Sequence, residues 1–527
     1  MLARRIEAEP MTNAGKRTLG FVLGLPPVHP LATQIAGNIR TDSRDIRPGD
    51  VFFARSGAKF DGREFINAAL EKGAQAVVIE DDNFVFPRDR RIIRVSHFAQ
   101  TLGTAAARAH GDPSAELRVI GVTGTNGKTT VAHLIAQAFN RTGVNERRCG
   151  LIGTLGIGWP DALDDSLHTT PEVTLTQSAL AEFLRDGADA AVMEVSSHGI
   201  SQGRTDGVRF DTAVFTNLSR DHLDYHASME EYGETKARLF LDSAPAVSIV
   251  NVDDSFGAAL LARCGGERIA ISLDSSAEPC VGSKLVHASV RSANGEPVRL
   301  RIGGAFGTGV IHSQLLGAFN AYNLLAATAA LIAGGMSLAD ACERLSAVPP
   351  VAGRMQWVGG HDAPMIVVDY SHTPDALENA LGALKPDGDA RLWCVFGCGG
   401  DRDAGKRPLM ASVSERFADR IIVTDDNPRT EESPYIIRDI VAGFARPGAV
   451  SVIPDRADAI DTAVRLAAPG DVVLIAGKGH ERYQERNGVR TPFNDLNEAR
   501  KSLVASAVAT ASKDTEPQVR QDSDRHG

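Results

Sequence analysis

Short apolar runs alternate with amphipathic stretches along most of the chain. Apolar runs of about four to eight residues are typical of buried strands, and longer stretches with a helical period are typical of the helices that cover them. This alternation predicts an α/β fold built on parallel sheets. The predicted strands are, in order, Asp50–Ala54, Ala74–Glu80, Leu117–Val122, Ala188–Val195, Phe210–Asn217, Val247–Asp254, Pro364–Tyr370, Arg391–Gly397, Arg420–Asp426, Val450–Pro454 and Asp471–Gly477.

The same pattern divides the chain into three α/β sections separated by polar steps. We predict an N-terminal domain over residues 20–105, a central domain over 106–347 and a C-terminal domain over 348–508. Residues 1–19 are predicted to be a loose extension, because they hold no apolar run of signal-peptide length. Residues 509–527 are polar and charged, and are predicted to form a disordered tail.

Composition narrows the functions that such a protein can have. The chain has 527 residues, with 56 Lys and Arg against 66 Asp and Glu, so its net charge is −10. An acidic chain is a poor candidate for wrapping a nucleic-acid backbone. No apolar run reaches the length of about 18 residues that a membrane span needs, so no membrane insertion is expected. These observations favour a cytoplasmic protein that acts on small molecules.

The strongest local signal is GVTGTNGKTT, residues 121–130, which follows a predicted strand and opens a predicted helix. That context is the one a phosphate-binding loop requires, because glycines let backbone N–H groups close around phosphate oxygens. Lys128 would reach the terminal phosphates, and a threonine hydroxyl would bind Mg²⁺. The strict pattern asks for glycine where this chain has Val122, so the loop is a variant.

This variant, with Asn126 before Gly-Lys-Thr-Thr, resembles the ATP loop of the Mur ligase family. Further motifs of that family follow in its order: Glu194–Gly199, Asn217–His226, Tyr232–Phe240, Gly317–Ala327, Arg354 and Asp369–Pro374. The resemblance covers roughly residues 20–500. It implies a three-domain architecture with a small UDP-binding α/β domain, a central P-loop ATPase-like domain and a C-terminal Rossmann-like domain that binds an amino acid.

The resemblance also implies an activity, the ATP-dependent joining of a carboxylate to an amine through an acyl phosphate. The reacting groups are anionic, so the site must be cationic and preorganised. The implied catalytic residues are Lys128, Glu194, His222 and Lys236. The implied ATP-binding residues are Gly124, Thr125, Asn126, Gly127, Lys128, Thr129, Thr130, Asn323 and Arg354.

Two of the implied catalytic groups would have ordinary structural roles if they were considered without the resemblance. Glu194 follows a predicted strand, where a carboxylate either caps a loop or binds Mg²⁺. Lys236, on a helical pattern, would ordinarily be a solvated surface charge. In the family the matching lysine carries a carbamate formed from CO₂, and the implied Mg²⁺ ligands are Thr129, Glu194, His222 and the carbamate of Lys236.

The implied carboxylate substrate is UDP-N-acetylmuramoyl-L-alanyl-D-glutamate. Relatives often have asparagine where this chain has His168, whose imidazole can still donate a hydrogen bond. Each serine or threonine alone would more often cap a helix or a turn. The implied contacts to this substrate are Thr41, Ser43, Lys59, Phe60, Asp61, His168, Thr169, Thr170, Ser196, Gln202 and Arg204.

The implied amine is meso-2,6-diaminopimelate, which carries an amino-acid head at each end. A guanidinium binds the distal carboxylate in a bidentate manner and would repel the lone ammonium of lysine. The motifs are Gly397–Met410, DNPR at Asp426–Arg429 and GKGHE at Gly477–Glu481. The implied contacts are Arg402, Asp426, Asn427, Pro428, Arg429, Gly477 and Glu481.

The sequence leaves other functions open. Within the family they are a lysine-adding ligase, a D-alanyl-D-alanine-adding ligase and folylpolyglutamate synthetase. DNPR argues against the first of these, and the Asp42–Arg44 domain with His168–Pro171 argues against the last. From another class, the chain could be a P-loop nucleotide switch or a non-catalytic scaffold, which the complete catalytic set disfavours. We expect a monomer.

Overall fold

The computed structural model describes residues 17–56, 61–82, 88–140, 148–223, 225–291, 295–386 and 388–514. These residues form two compact units. The first contains the described residues up to Val290, together with Arg299–His312 and Ala321–Val348. The second contains the described residues of 291–298, Ser313–Asn320 and those from Pro349 onward.

The N-terminal part of the first unit holds a four-stranded parallel sheet in the order β1-β2-β3-β4. Its middle strands read VFF and AVVI and are fully buried, as expected of a parallel sheet covered on both faces. The elements are α1 (Leu19–Leu23), β1 (Ile39–Arg40), β2 (Val51–Phe53), α2 (Ile66–Glu71), β3 (Ala76–Glu80), β4 (Ile92–Val95) and α3 (Phe98–His110).

The rest of the first unit is organised by an eleven-stranded sheet. Seven of its strands pair in parallel, in the order β13-β12-β11-β10-β5-β9-β6. Antiparallel pairs extend it at both ends, through β14 at one and through β7 and β8 at the other. The strands are β5 (Arg118–Thr123), β6 (Cys149–Gly153), β7 (Gly156–Trp159), β8 (Ala162–Asp164), β9 (Ala190–Glu194), β10 (Thr212–Phe215), β11 (Val247–Asn251), β12 (Glu267–Ser272), β13 (Lys284–Val290), β14 (Pro297–Gly304) and β15 (Gly309–Leu316).

Seven α-helices accompany these strands in the described part of the chain. Side-chain caps define several of their starts: the Asp254 carboxylate accepts from Gly257 N at the start of α8, and Ser337 caps α10 in the same way. The helices are α4 (Lys128–Phe139), α5 (Val173–Arg185), α6 (Ser197–Ser201), α7 (Met229–Leu241), α8 (Ser255–Arg263), α9 (Phe319–Ala333) and α10 (Leu338–Ser346).

The second unit contains a six-stranded sheet in the order β16-β17-β21-β18-β19-β20, antiparallel only between β16 and β17. A separate hairpin pairs β22 with β23 through Asn487 and Gly488, which both have positive φ. The elements are β16 (Gln356–Gly359), β17 (Met365–Asp369), α11 (Pro374–Leu384), β18 (Leu392–Phe396), α12 (Lys406–Phe417), β19 (Arg420–Val423), α13 (Ser433–Val441), β20 (Ser451–Val452), α14 (Arg456–Leu466), β21 (Val472–Ala476), β22 (Tyr483–Arg486), β23 (Val489–Pro492) and α15 (Asp495–Asp514).

Every predicted strand overlaps a strand of the structure, and the α/β class is confirmed. The pattern did not predict the parallel strands β1, β4, β6, β12 and β13, nor the remaining strands β7, β8, β14, β15, β16, β22 and β23. At the N-terminus, Thr18 forms a bridge with Ile35 and caps α1, so residues 17–19 of the predicted extension belong to the fold. At the other end α15 reaches Asp514, so residues 509–514 of the predicted tail are helical. Residues 1–16 and 515–527 lie outside the described ones.

A search of the described helices for a membrane span finds none that is both long and apolar enough to cross a bilayer.

Candidate functional site

The turn after β5 has the backbone of a phosphate-binding loop. Gly124 has a φ of 144° and Gly127 a φ of 87°, and α4 begins at Lys128. A Cβ at Gly124 would lie 1.9 Å from Thr216 Oγ1, and one at Gly127 would lie 2.4 Å from Asn323 Oδ1. Only glycine fits at either position, and the predicted residue Asn323 therefore lies against the loop.

The segment that follows β10 holds this loop in place. The Thr125 N–H donates to Asn217 O at 2.8 Å, and the Asn126 N–H donates to Asn217 Oδ1 at 3.0 Å. The Thr216 hydroxyl donates to Asn126 O at 2.5 Å. Because these bonds involve the loop's own backbone, the loop is preorganised by a neighbouring strand end.

Two lysine ammonium groups converge on one loop carbonyl. Lys128 Nζ donates to Gly124 O at 2.9 Å and to Thr125 O at 2.8 Å, and Lys236 Nζ donates to Gly124 O at 2.9 Å. Lys236 is only 1% exposed and lies 4.4 Å from the centre of the Tyr232 ring. Burial lowers the pKa of Lys236 well below its usual range, and the charge of Lys128 lowers it further.

Glu194 ends β9 and is fully buried. Its Oε2 accepts from Thr129 Oγ1 at 2.8 Å and from Thr154 Oγ1 at 3.1 Å, and its Oε1 accepts from Thr154 N at 2.7 Å. Thr154 Oγ1 also lies 3.0 Å from Thr169 Oγ1, within hydrogen-bond distance. Two of the predicted Mg²⁺ ligands, Thr129 and Glu194, are therefore in direct contact, and Thr154 links them to a predicted substrate residue. Thr130, the next residue of α4, is buried.

His222 lies in the loop after β10 with a φ of 54°. Its ring packs 4.8 Å from that of His198 and 6.0 Å from that of Tyr232, and its Nε2 lies 3.4 Å from Asp221 Oδ2. Burial lowers the pKa of His222 to about 4, although Asp221 opposes this effect. Within the described ranges, no three His, Cys, Asp or Glu side chains group together as a metal site. The predicted Mg²⁺ set contains only two such residues.

The predicted substrate residues near the end of β9 form one hydrogen-bonded group. Thr170 Oγ1 donates to Glu194 O at 2.9 Å, accepts from Ser196 N at 2.9 Å and lies 3.0 Å from Ser196 Oγ. Arg204 Nη1 donates to Thr170 O at 2.9 Å, and its Nη2 pairs with Glu172 at 3.2 Å. His168 lies nearby and is exposed. Its partial burial lowers its pKa, and the charge of Arg204 lowers it further.

Gln202 connects this group to the first sheet. Its backbone carbonyl accepts from Arg55 Nη2 at 3.0 Å, and its side-chain amide lies 3.5 Å from Tyr225 Oη. Arg55 directly follows Ala54 at the end of β2 and is exposed. The sequence did not single out Arg55, although its position at the carboxyl end of a parallel strand was a usable signal.

The structure describes some, but not all, of the predicted substrate contacts in the loops of the first sheet. Thr41 is exposed and Ser43 is half-buried, and Asp42 between them caps a short 3₁₀ turn while binding Arg44. Asp61 caps a second 3₁₀ turn and binds Arg63, which lowers the pKa of that carboxyl. Lys59 and Phe60 lie outside the described residues.

In the second unit, the DNPR segment follows β19 and contacts the GKGHE segment that follows β21. Asn427 Nδ2 donates to Glu481 Oε2 at 2.7 Å. Lys478 Nζ donates to Asn427 Oδ1 at 2.9 Å and to Glu481 Oε2 at 2.8 Å. The sequence named Asn427 and Glu481 as contacts but gave no role to Lys478, which joins them.

Arg429 is fixed against the glycine loop that follows β18. It has a φ of 54°, its Nη1 donates to Gly400 O at 2.7 Å, and its N–H donates to Glu485 O at 3.0 Å. Arg402, from the same glycine loop, is exposed, and its Nη1 donates to Asp401 O at 3.3 Å. Pro428 is buried beneath the loop, with its carbonyl against Gly400.

The β22–β23 hairpin contacts the DNPR segment and the preceding residue through hydrogen bonds and an ion pair. Gln484 Nε2 donates to Asp426 O at 2.8 Å, the Glu485 N–H donates to Asn427 Oδ1 at 2.9 Å, and Arg486 pairs with Asp425 at 2.7 Å. Gly477 lies against the Asp426 carboxylate. This hairpin was not predicted, although Asn487-Gly488 is a strong hairpin signal.

Arg354 also lies in the second unit. Its guanidinium packs 4.6 Å from the centre of the Tyr370 ring, and that ring lies 5.1 Å from His480 and 4.6 Å from His372. Burial raises the pKa of Tyr370 to about 12. The predicted ATP-binding role of Arg354 stays a prediction.

Comparison with known proteins gives the class that this fold and these loops define. Residues 36–110 match the family model described as Mur ligase family, catalytic domain, and residues 122–331 match the Mur ligase middle domain. Residues 353–479 match the Mur ligase glutamate ligase domain. The chain belongs to the Mur ligase family, and the predicted three-domain architecture is confirmed.

Individual relatives carry more specific names. The chain is 50% identical over 475 residues to the UDP-N-acetylmuramoyl-L-alanyl-D-glutamate–2,6-diaminopimelate ligase of Pseudomonas aeruginosa, covering 89% of this chain and 95% of that protein. It is 46% identical over 495 residues to the ligase of the same name from Chromobacterium violaceum, covering 91% and 98%. A solved structure of a ligase with this name aligns with a TM-score of 0.68 at 35% identity, covering 93% and 99%.

Proposed function

We propose that this protein joins meso-2,6-diaminopimelate to the γ-carboxylate of D-glutamate in UDP-N-acetylmuramoyl-L-alanyl-D-glutamate, at the expense of ATP. The observation that carries the proposal is the convergence of Lys128 and Lys236 on Gly124 O beside the paired Thr129 and Glu194. Relatives with this name at up to 50% identity support the same reaction.

The first step needs the substrate carboxylate to attack the γ-phosphorus of ATP, with the bond to ADP breaking. The N-terminus of α4 binds phosphate oxygens, because its N–H groups present partial positive charge. The Lys128 ammonium lies across the loop, where it stabilises charge that develops on the transferred phosphoryl group. The product of this step is an acyl phosphate.

In the second step the neutral amine of the amino acid attacks the acyl carbon, inorganic phosphate leaves and the nitrogen releases a proton. Both steps pass through crowded negative charge, so Mg²⁺ would supply further electrostatic stabilisation. Thr129 and Glu194 present hard oxygen ligands in mutual contact, which suits Mg²⁺. His222 and a carbamate on Lys236 would complete the proposed ligand set.

The surroundings of Lys236 fit the proposed carbamate. Carbamate formation needs an unprotonated amine to attack CO₂, and the pKa of Lys236 is lowered by burial and by Lys128. A protonated Lys236 would repel Lys128, whereas the carbamate places a negative charge beside it. The modification therefore converts a repulsive pair into an attractive pair, which is a physical reason for a lysine at this position.

The amine is selected in the second unit. Arg429 presents a guanidinium held in place by Gly400 and Glu485, and Arg402 presents an exposed one. A guanidinium matches the distal carboxylate of diaminopimelate, whereas lysine has no carboxylate at that end. Asp426 and Glu481 provide acceptors for the distal ammonium.

The proposal is tested by measuring ADP release with ATP, Mg²⁺ and the UDP-linked dipeptide, in parallel reactions that contain meso-diaminopimelate or L-lysine. Turnover with diaminopimelate alone is the expected result. Lys128→Met should abolish release, whereas Lys284→Met, at an exposed lysine paired with Glu267, should not change it. Turnover with lysine would retain a ligase but contradict the role of Arg429. Turnover with neither amine would contradict the proposed reaction.

A further inference from the structure

Lys478 is the one residue of the GKGHE segment whose charge the proposed reaction leaves without a role. Its side chain is fully buried, although lysine is rarely buried in proteins unless it is paired. Its Nζ donates to Asn427 Oδ1 and to Glu481 Oε2, and lies 5.6 Å from the centre of the Tyr483 ring. Both hydrogen-bond partners belong to the proposed amino-acid site.

These contacts form a closed network. Asn427 Nδ2 and Lys478 Nζ both donate to Glu481 Oε2, while Asn427 Oδ1 accepts from Lys478 and from the Glu485 N–H. The orientation of the Asn427 amide is thereby fixed, because its oxygen meets two donors and its nitrogen meets an acceptor. Glu481 Oε2 is fully engaged, so only Oε1 of that carboxylate is left for a ligand.

The network also sets the charge of the site. Lys478 neutralises Glu481, and the neighbouring Asp425 is paired with Arg486. Among the described residues of the two motifs, Asp426 and Arg429 then remain as one carboxylate and one guanidinium. This balance matches an amino-acid head, which carries one ammonium and one carboxylate.

We propose that Lys478 is a positioning residue that determines amine specificity, because it cancels the charge of Glu481 and makes the site complementary to a zwitterionic head. The inference rests on the proposed function. Without the ammonium of Lys478, two carboxylates would face one fixed guanidinium in a largely buried site. Such a site attracts a lone ammonium more strongly and a zwitterion less strongly.

The test compares kcat/KM for meso-diaminopimelate and for L-lysine in the wild type and in Lys478→Met, a variant of similar length without charge. We expect KM for diaminopimelate to rise at least about tenfold, which corresponds to about 1.4 kcal/mol of lost binding. KM for lysine should fall or stay constant, so the preference for diaminopimelate should fall at least about tenfold. The kcat for diaminopimelate should change less than its KM.

The double variant Lys478→Met/Glu481→Gln separates charge from packing. Both side chains at positions 478 and 481 are then uncharged, so their summed charge is zero as in the wild type. The side-chain carbonyl oxygen of the introduced glutamine can still accept from Asn427. We therefore expect much of the diaminopimelate preference to return. The matched control is Lys501→Met, because Lys501 forms an exposed pair with Glu498 at the same three-residue spacing and should not affect either amine.

The outcomes distinguish this inference from the proposed function. An unchanged ratio of the two amines in Lys478→Met, or an equal loss for both with a lowered melting temperature, would overturn the specificity role of Lys478. A double variant no better than Lys478→Met would overturn the charge argument. If the wild type uses neither amine, the proposed function fails and this inference fails with it.

Discussion

Lys236 in the first unit and Arg456 in the second are buried to the same extent, with 1% of each residue exposed, but their surroundings drive their pKa values in opposite directions. Burial and Lys128 lower the pKa of Lys236. Burial also acts to lower the pKa of Arg456, but Asp495 outweighs it through bonds of 2.7 and 2.8 Å and the pKa is raised. Burial lowers the pKa of both bases, and the charge of the neighbouring group decides the direction of the net shift.

The two units differ in the same way on a larger scale. In the first unit, the side chains of Lys128 and Lys236 meet at one backbone carbonyl of the phosphate loop, and the charge of Lys128 acts against a proton on Lys236. In the second unit, the buried cations are matched by carboxylates, as in the pairs of Arg407 with Glu431 and of Lys478 with Glu481. A buried lysine that holds its proton weakly suits the proposed carbamate, and a charge-balanced site suits a zwitterionic amino acid.

The largest expected effect comes from breaking the buried ion pair between Arg456 and Asp495. Arg456→Met should destabilise the second unit by about 3–5 kcal/mol, because it leaves the buried carboxylate of Asp495 uncompensated. The measurement is urea unfolding followed by circular dichroism. Arg465→Met, on the same helix and in an exposed pair with Asp461, is the control and should have no measurable effect. Equal effects of the two variants would contradict the comparison.

The next largest effect concerns Lys236, whose pKa is lowered. Lys236→Ala should lower turnover about 100-fold or more, since the group proposed to become a carbamate is lost from a preorganised charged site. Short-chain carboxylic acids should restore part of the activity by placing a carboxylate in the vacated space. The readout is ADP release against acid concentration, with melting curves as a check on folding. No rescue at any concentration would count against the carbamate.

A smaller effect tests a half-buried base, His110 at the end of α3. Burial lowers its pKa from 6.5 to about 4, with contributions from Arg17, Arg185 and Arg40. Between these two values the unfolded chain binds a proton that the folded chain does not, so stability should fall as pH drops from about 6.5 to about 4. The loss should be about 1–3 kcal/mol.

His110→Gln should flatten this pH dependence relative to the wild type in urea midpoints measured at several pH values. His361→Gln is the matched control, because the His361 side chain is 92% exposed and its loss should leave the slope as it is. A slope that persists in His110→Gln would assign the pH dependence to other groups.

The sequence predicted those features that depend on local pattern. The strands and the phosphate loop are continuous in the chain, so apolar runs and glycine spacing were enough to place them. The i, i+4 spacing of Tyr232 and Lys236 on α7 also puts their contact within reach of sequence reasoning, although it was not predicted. The strands β7 and β8 were missed because they have only 4 and 3 residues and carry a weak pattern. The eight-residue β14 alternates apolar and polar residues over Val298–Ile302, which was a usable signal that was not used.

Contacts between distant segments could not be predicted in this way. Thr154 binds Glu194 across 40 residues, and Lys478 binds Asn427 across 51. Neither spacing is a motif, and each contact depends on which strands are neighbours in the sheet. The motif resemblance named Asn427 and Glu481 as contacts, but the ion pair that sets the charge of Glu481 became visible only in three dimensions.

The Asn487-Gly488 turn has a consequence for how this protein tolerates insertions and deletions. A two-residue turn fixes which side chains of β22 face each side of the hairpin, because strand side chains alternate with a period of two. Adding or removing one residue at the turn would shift the strands relative to each other and change which residues meet the DNPR segment. A length change at this exposed tip, where the Asn487 N–H donates to Arg429 O at 2.6 Å, would therefore alter the proposed amine site as much as a substitution within it, whereas most surface tips accept such changes freely.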